Sequence, residues 1–438
     1  MGSYFLRRFL LIPPTLLGVT FLVFCITRIV PGGPLERRMQ AALASSDSSR
    51  ASKDSGASLG EEAKEQLAEY YGFNQSIVPA YFTWLGVKSR EKDKVRAPFE
   101  AKDGQFSDTV AVTLRYLLPR EKWTSTNAYG SIAATVRRDG DKAILSAADG
   151  SNLSTWRARI ELPEKKPDAR PDEKRPPRAV VFRPERDGLL QGNLGVSTRY
   201  NDRVWDMIRE RFPISLFYGI LTVILTYGIC IPLGILKALK HRTVLDNATS
   251  VLIFIGYAIP GFVLGSVLVV FVAARWGWFP SGGFVSENFA ELSTGGKIAD
   301  LFHHAVLPLS CYVIGAFAFT TMLLKNNLLD NLASDYVRTA ISKGVPFRRA
   351  VTGHALRNSM IPIYSTLGQL TMLLVSGSIL IERIFDINGF GMLMYNALVD
   401  RDIAVVMGEV TIAAVLLMLG NILSDFCVAL ADPRIRFS

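Results

Sequence analysis

The chain has 438 residues, 49% hydrophobic and 20% charged, with a net charge of +10. Its apolar residues gather in six blocks, roughly 9–30, 214–236, 248–274, 305–324, 361–381 and 405–430. Each is near or above the ~20 residues a helix needs to cross a hydrocarbon core about 30 Å thick. This excludes a soluble enzyme of two or three domains. The expected fold class is an all-α polytopic membrane protein with six transmembrane helices.

At the N-terminus, Arg7 and Arg8 precede the first block. The run from Phe9 to Ile26 is too long for a signal-peptide core, and no small-residue cleavage site precedes the polar region that follows. Residues 1–30 are therefore expected to form a cytoplasmic N-terminus and a retained span, with Pro13 and Pro14 in its first turn or two. Arg28 sits at the far end, where its long stem can carry the charge to the interface.

Residues 31–212 then form one external region. Residues 41–60 are low-complexity Ser/Ala and read as a linker. Residues 61–86 carry a helical pattern, with Leu67, Tyr70 and Tyr71 close to one face, and end in Tyr81, Phe82 and Trp84. Between 87 and 186 the character changes. TVAVTLRYLL, GSIAATVRR and STWRARIEL alternate with Gly-Asp and Asp-Gly turns, and 22 Lys/Arg stand against 15 Asp/Glu. We read 87–186 as a small external β-rich insertion, in which PEKKPDARPDEKRPPR is exposed loop. The alternative is a charged loop with marginal strands.

Residues 213–438 hold the remaining five spans. Pro232 and Pro260 lie inside apolar runs, accompanied by several glycines, which suits either kinks in a moving conduit or ordinary close helix packing. Orientation follows from the short loops. A cytoplasmic N-terminus places Arg7, Arg8, Lys237, Lys240, Arg242, Lys325, Arg338, Lys343, Arg348, Arg349, Arg357, Arg434 and Arg436 inside. Only Arg275, Lys297, Arg383 and Arg401 then lie in the short outside loops, and both termini are cytoplasmic. The positive charge is thereby explained without a nucleic-acid partner. Cys25, Cys230, Cys311 and Cys427 each fall inside a block, so they build neither a disulfide framework nor a zinc site.

One basic stretch, DYVRTAISKGVPFRRAVTGHALRN, Asp335 to Asn358, lies between the fourth and fifth blocks. Asp335 to Lys343 makes about two helical turns. Gly344-Val345-Pro346 ends them, since Gly accepts a left-handed cap and Pro favours a new first turn. A second helix, Pro346 to His354, is expected to present Phe347, Val351 and His354 near one face, with Arg348, Arg349 and Thr352 away from it. Such an elbow suits either a docking surface for another protein or an amphipathic helix resting on lipid headgroups.

The spacing Ala340–x3–Gly344–x9–His354–x–Leu356 resembles the coupling-loop signature of ABC importer permeases of the oligopeptide/dipeptide branch. LAEYYGFNQSIVPAYFTWLG (67–86), GNLGVSTRYNDRVWDMIRERFPISL (192–216), HHAVLPL (303–309), IERIFDINGFGMLMYNAL (381–398) and ILSDFCVALADPRIRFS (422–438) are also similar to that branch. Departures are Arg338-Thr339-Ala340 in place of an opening Glu-Ala-Ala, Ile387-Asn388 where a Pro is usual, and Ile403-Ala404 in place of an aromatic-Pro pair. The enlarged first external loop resembles Yej-type permeases.

The resemblance implies a bacterial inner-membrane permease with a coupling loop over 326–358. Its ATPase-contacting residues would be Ala340, Gly344, Val345, Pro346, Phe347, Arg348, Arg349 and His354. It implies no catalytic residue, cofactor or metal in this chain. ATP and Mg would be bound by two partner ATPases, and the other partners would be a second permease and a periplasmic solute-binding protein. GASLG (56–60) matches a nucleophile-elbow pattern but lacks a preceding strand and a nearby His. His303-His304 are expected to serve helix entry rather than a metal, and Asp425 a structural role beside Arg434 and Arg436. The alternative function is an ion-coupled secondary transporter with Asp425 or Glu409 as carrier.

Overall fold

The computed structural model of the protein describes residues 2–29, 75–102, 105–117, 129–140, 142–147, 150–162, 176–376 and 378–431. The expected linker 41–60, the helical pattern over 61–74, GASLG and the C-terminal Arg434 and Arg436 lie outside the described residues. Two compact units emerge, Met1–Leu67 with Leu194–Ser438, and Ala68–Asn193.

The first unit is helical. Helix α1 spans Gly2–Ile29, and Pro13 and Pro14 lie in its interior rather than its first turns. The helix starts earlier than hydropathy suggests because the turn carrying Arg7 and Arg8 extends it beyond the apolar block. The Thr15 hydroxyl donates to the Leu11 carbonyl just past the two prolines (2.7 Å). Arg28 ends α1 with its guanidinium over the Phe24 ring.

Helix α3 spans Val204–Leu239 and α6 spans Thr294–Ala333. Their 36 and 40 residues correspond to about 54 and 60 Å. Both outrun the hydrocarbon core, and they pack against each other. Between them the block expected as one span, 248–274, is two limbs. α4 (Val244–Ala258) and α5 (Gly261–Leu268, continued as a π-helical stretch Val269–Arg275) meet at 89°. Pro260 forces the bend by sterically holding Ile259 extended (φ −93°, ψ 116°).

Helix α9 covers Ile361–Ser376, followed by α10 (Ile379–Ile384), α11 (Phe390–Val399) and α12 (Ile403–Ala431). Block 361–381 is thus not one uninterrupted helix, because Ser378 is extended and caps α10 with its hydroxyl. Among the described residues α1, α3, α6 and α12 are each long and apolar enough to cross a membrane, and the bent pair makes a fifth candidate. The protein is a mostly helical polytopic membrane protein.

Among the described residues the second unit holds helix α2 (Ile77–Leu85) and eight strands: β1 Arg90–Pro98, β2 Ala101–Lys102, β3 Gln105–Phe106, β4 Thr109–Leu117, β5 Tyr129–Asp139, β6 Lys142–Ala147, β7 Arg157–Glu161 and β8 Arg178–Glu185. They form two antiparallel three-stranded sheets, β1-β8-β7 and β4-β5-β6, and a hairpin β2-β3. Strand alternation builds the core. Val112 lies opposite Ala134 and Val110 opposite Val136. Together with Leu114, Phe99, Trp156, Ala179 and Val181 they close one apolar cluster. Arg159 joins Glu91 and Glu161 in an ion-pair network at the surface.

This unit is tied at its base. The Gln191 amide takes the Gly188 N–H (3.0 Å) and donates to the Gly86 carbonyl (3.3 Å). A Cβ on Gly188 would lie 2.7 Å from Gly86 Cα, so only glycine permits this approach. Excision of residues 88–187, joining Val87 to Gly188, therefore closes a gap that is already shut. We expect membrane insertion and yield of the shortened chain to match the full chain on a fractionation blot. Loss of the membrane-inserted product would show the strands to be needed for folding.

Candidate functional site

The end of α6 passes through the extended Ser334 into α7 (Asp335–Ser342). Gly344, at φ +85°, stops α7. Its N–H bonds the Ile341 carbonyl (2.9 Å), and the Val345 N–H bonds the Ala340 carbonyl (3.1 Å). These two bonds are the Schellman pair that satisfies the last carbonyls of a helix. Pro346 then caps the next helix, its carbonyl accepting from Arg349 and Ala350 N–H (2.9 and 3.0 Å).

That second helix, α8, runs on from Phe347 to Ser359 through a π-helical turn at Val351–Ala355, and does not stop at His354. The extra residue in the π turn changes which positions stack. Phe347, Val351 and His354 consequently do not share a face. Val351 is buried, whereas Phe347 is 55% exposed and His354 is exposed. The buried stripe is Ala350, Val351, Ala355 and Ser359. Arg348, Arg349 and Thr352 are exposed with Phe347 and His354. Among the described residues no ion pair joins Arg348 or Arg349.

The inner side of the elbow is firmly seated. Val337, Ala350 and Ala355 form one buried cluster with Ala238 of α3 and Leu328 of α6, and Val345 packs against it. The Tyr336 hydroxyl donates to Asn331 Oδ1 (2.6 Å) and accepts from Asn358 (3.1 Å). Ser359 donates to the Asn327 carbonyl (3.2 Å). Arg357 Nε reaches the Ala431 carbonyl at the end of α12 (3.1 Å). Of the expected site residues, Ala340, Gly344, Val345 and Pro346 shape the corner, and Phe347, Arg348, Arg349 and His354 form its outward face.

A second cluster organises the loop from α10 to α11. Glu382, 2% exposed, accepts the Met392 N–H (2.8 Å) and lies 3.5 Å from the Tyr312 hydroxyl. A Cβ at Gly389 would come within 2.8 Å of its carboxylate, and one at Gly391 within 3.0 Å. The Glu-x-x-Phe…Gly-x-Gly pattern is therefore a carboxylate held in a backbone cradle. Phe385, Ile387 and Phe390 are buried around it. Asp402 acts similarly at the start of α12, accepting from the Ser197 hydroxyl (2.6 Å) and the Thr198 N–H (2.9 Å). Hydropathy alone gave no sign of either anchor. The signal was an acidic residue near a Gly-x-Gly or a helix start.

The remaining candidates have definite places. Asp425 pairs with Arg8 of α1 (3.1 Å). A nitrogen of His303 lies 3.0 Å from the Trp278 carbonyl, and one of His304 2.9 Å from the Asp300 carbonyl. Among the described residues no group of three or more His, Cys, Asp or Glu side chains could hold a metal. Glu409 is buried in α12, and its Oε2 has no hydrogen-bond partner among the described residues.

Residues 230–437, which include the elbow and the Glu382 cradle, match the family of binding-protein-dependent transport system inner membrane components. The chain belongs to that family, and with its apolar helices it is a multi-pass permease of the inner membrane. It is similar to the peptidoglycan transport system permease protein YejB of Agrobacterium fabrum, 39% identical over 251 residues, which are 57% of this chain and 69% of that protein. The oligopeptide transport system permease protein AppB of Bacillus subtilis is 26% identical over 438 residues, the whole of both chains. The dipeptide transport system permease protein DppB of Escherichia coli is 32% identical over 267 residues, covering 57% of this chain and 78% of that protein.

Two glycine substitutions separate backbone strain from crowding. A Cβ at Gly344 meets nothing within 4 Å, so Gly344→Ala strains only φ and should cost about 1–2 kcal/mol. A Cβ at Gly391 would lie 2.9 Å from Ile379 N, and Gly391→Ala should cost about 2–3 kcal/mol. Thermal melts in detergent should rank the two in that order, and equal stabilities would contradict the cradle.

Proposed function

We propose that this chain is one of two permease subunits of an ATP-driven importer for oligopeptides or peptide-like solutes, as its relatives' names suggest. Six spans cross the membrane, with the bent pair as the third and α9 as the core of the fifth. Both termini face the cytoplasm, and the strand-rich unit is an insertion in the first external loop. The chain hydrolyses no ATP itself. Two cytoplasmic ATPases bind ATP and Mg, and a periplasmic solute-binding protein delivers the solute.

The observation that carries this reading is the asymmetry of the elbow. Its inner face is locked into α3 and α6, while Phe347, Arg348, Arg349 and His354 are left outward between two helices long enough to protrude from the bilayer. Such a surface suits a groove on a partner protein, and its rigid seat can pass the partner's movement to the spans. Buried Glu409, whose Oε2 has no hydrogen-bond partner among the described residues, favours the second reading, an ion-coupled transporter.

Proteoliposomes containing the full complex, supplied with binding protein and labelled tri- to pentapeptides, should accumulate peptide only with ATP inside the ATPase compartment. Uptake driven by a proton gradient without ATP would overturn the proposal. Phe347→Ala combined with Arg348→Glu and Arg349→Glu should lower ATPase co-purification at least tenfold while leaving the permease folded. Full retention of the ATPases would move the docking surface elsewhere.

A further inference from the structure

Three charged side chains are buried together beside the elbow. Lys237, in the last turn of α3, is fully buried, as are Asp246 in the first turn of α4 and, nearly so, Lys325 on α6. Lys325 Nζ donates to both Asp246 carboxylate oxygens (2.6 and 2.8 Å). Lys237 Nζ lies 3.0 Å from Asp246 Oδ1, and donates to the Asp246 carbonyl (2.8 Å), Thr249 Oγ1 (2.9 Å) and Ser250 Oγ (2.7 Å). The Arg242 N–H adds a bond to Asp246 Oδ2 (3.1 Å), and His241 Nδ1 lies 3.4 Å from the same oxygen.

One carboxylate thus answers two ammonium groups from two different helices. Taking charges out of water is expensive, and an ammonium that loses its buried partner is left uncompensated. Separation of α4 from α3 or α6 at this end is therefore strongly opposed. This three-helix contact adds directional, charge-assisted bonds to the apolar packing around it.

The place of the triad relative to the elbow gives it a mechanical meaning. The cluster under the elbow includes Ala238, the neighbour of Lys237, and Leu328, one turn from Lys325. That cluster draws on α3, α6, α7 and α8, and none of its residues comes from α4. Displacement of the elbow would press directly on α3 and α6. Asp246 is the ionic link that ties the first turn of α4 to both, while further along α4 and α5 pack on α6 at Gly256 and Gly261, on either side of the 89° bend at Pro260.

We propose that Asp246 is a positioning residue of the transport cycle, which joins Lys237 and Lys325 so that movement of the elbow reaches the bent pair α4–α5. This rests on the reading of the elbow as the ATPase-docking element. The discriminating variant is Lys325→Met, which cuts the α6 link yet leaves Lys237 and Asp246 as a neutral, paired couple able to fold. Lys325→Arg keeps the cation.

Both variants and the wild type would be purified as full complexes with their ATPases and reconstituted with binding protein and labelled tri- to pentapeptides. The readout is peptide taken up per ATP hydrolysed. Lys325→Met should assemble and hydrolyse ATP within twofold of wild type, while uptake per ATP falls at least tenfold, and Lys325→Arg should stay within threefold. An unchanged ratio in Lys325→Met overturns the proposal. So does failure of Lys325→Met to assemble, since the triad would then serve folding. A wild-type complex that takes up no peptide with ATP would instead strike at the importer reading itself.

Discussion

A buried backbone polar group must find a partner, most strictly in the hydrocarbon core, and this constraint shapes the corners where the chain stops being a regular helix. At Gly344 two N–H groups turn back onto the carbonyls of Ala340 and Ile341. At Ser378 the backbone N–H donates to the Tyr312 hydroxyl (3.2 Å), so the break after α9 is held by a side chain of α6. The N–H groups at the start of α11 find Glu382, and those of residues 198 and 199 find Asp402. Each of these four irregularities is paired with a specific acceptor or donor. The breaks are consequently fixed corners, and the spans between them can move as stiff pieces.

Much of this was legible in the residues. Six apolar blocks define the membrane class, and Gly-Val-Pro after a two-turn amphipathic stretch defines the elbow, because both signals are local. The rest depended on long-range contact. The face of α8 could not be read from 3.6-residue spacing, because the π turn at Val351–Ala355 breaks that spacing, and nothing local distinguishes Gly353 in such a turn from Gly353 in an α-helix. The right angle at Pro260 was visible only as a kink, since one proline can produce a bend of many sizes.

The charge count shows a different kind of blindness. Lys237 and Lys325 weigh toward a cytoplasmic loop when residues are tallied along the chain, yet both side chains are inside the protein and bound to Asp246. Sequence distance hid the group, for its members lie 9 and 79 positions apart. Asp246 itself is an ordinary first-turn acid on a helix that Thr243 caps, a setting in which an acid is expected for purely local reasons. Similarly, Glu382 and its two glycines stand in the sequence only as part of a stretch similar to the permease branch, and the structure shows the carboxylate bound to the backbone of its own loop.

The touching strands of chain at Gly86 and Gly188 bear on how such a permease can diversify. A loop whose ends already meet has a closure entropy that hardly depends on what is threaded between them. About a hundred residues can be lengthened, shortened or exchanged there without altering the register of the helices that follow, much as a hairpin tolerates a change of tip. The Gly86–Gly188–Gln191 junction thus behaves as an insertion port, where the strand-rich segment can be changed with the chain ends on either side held in place, and where a reporter domain could be placed.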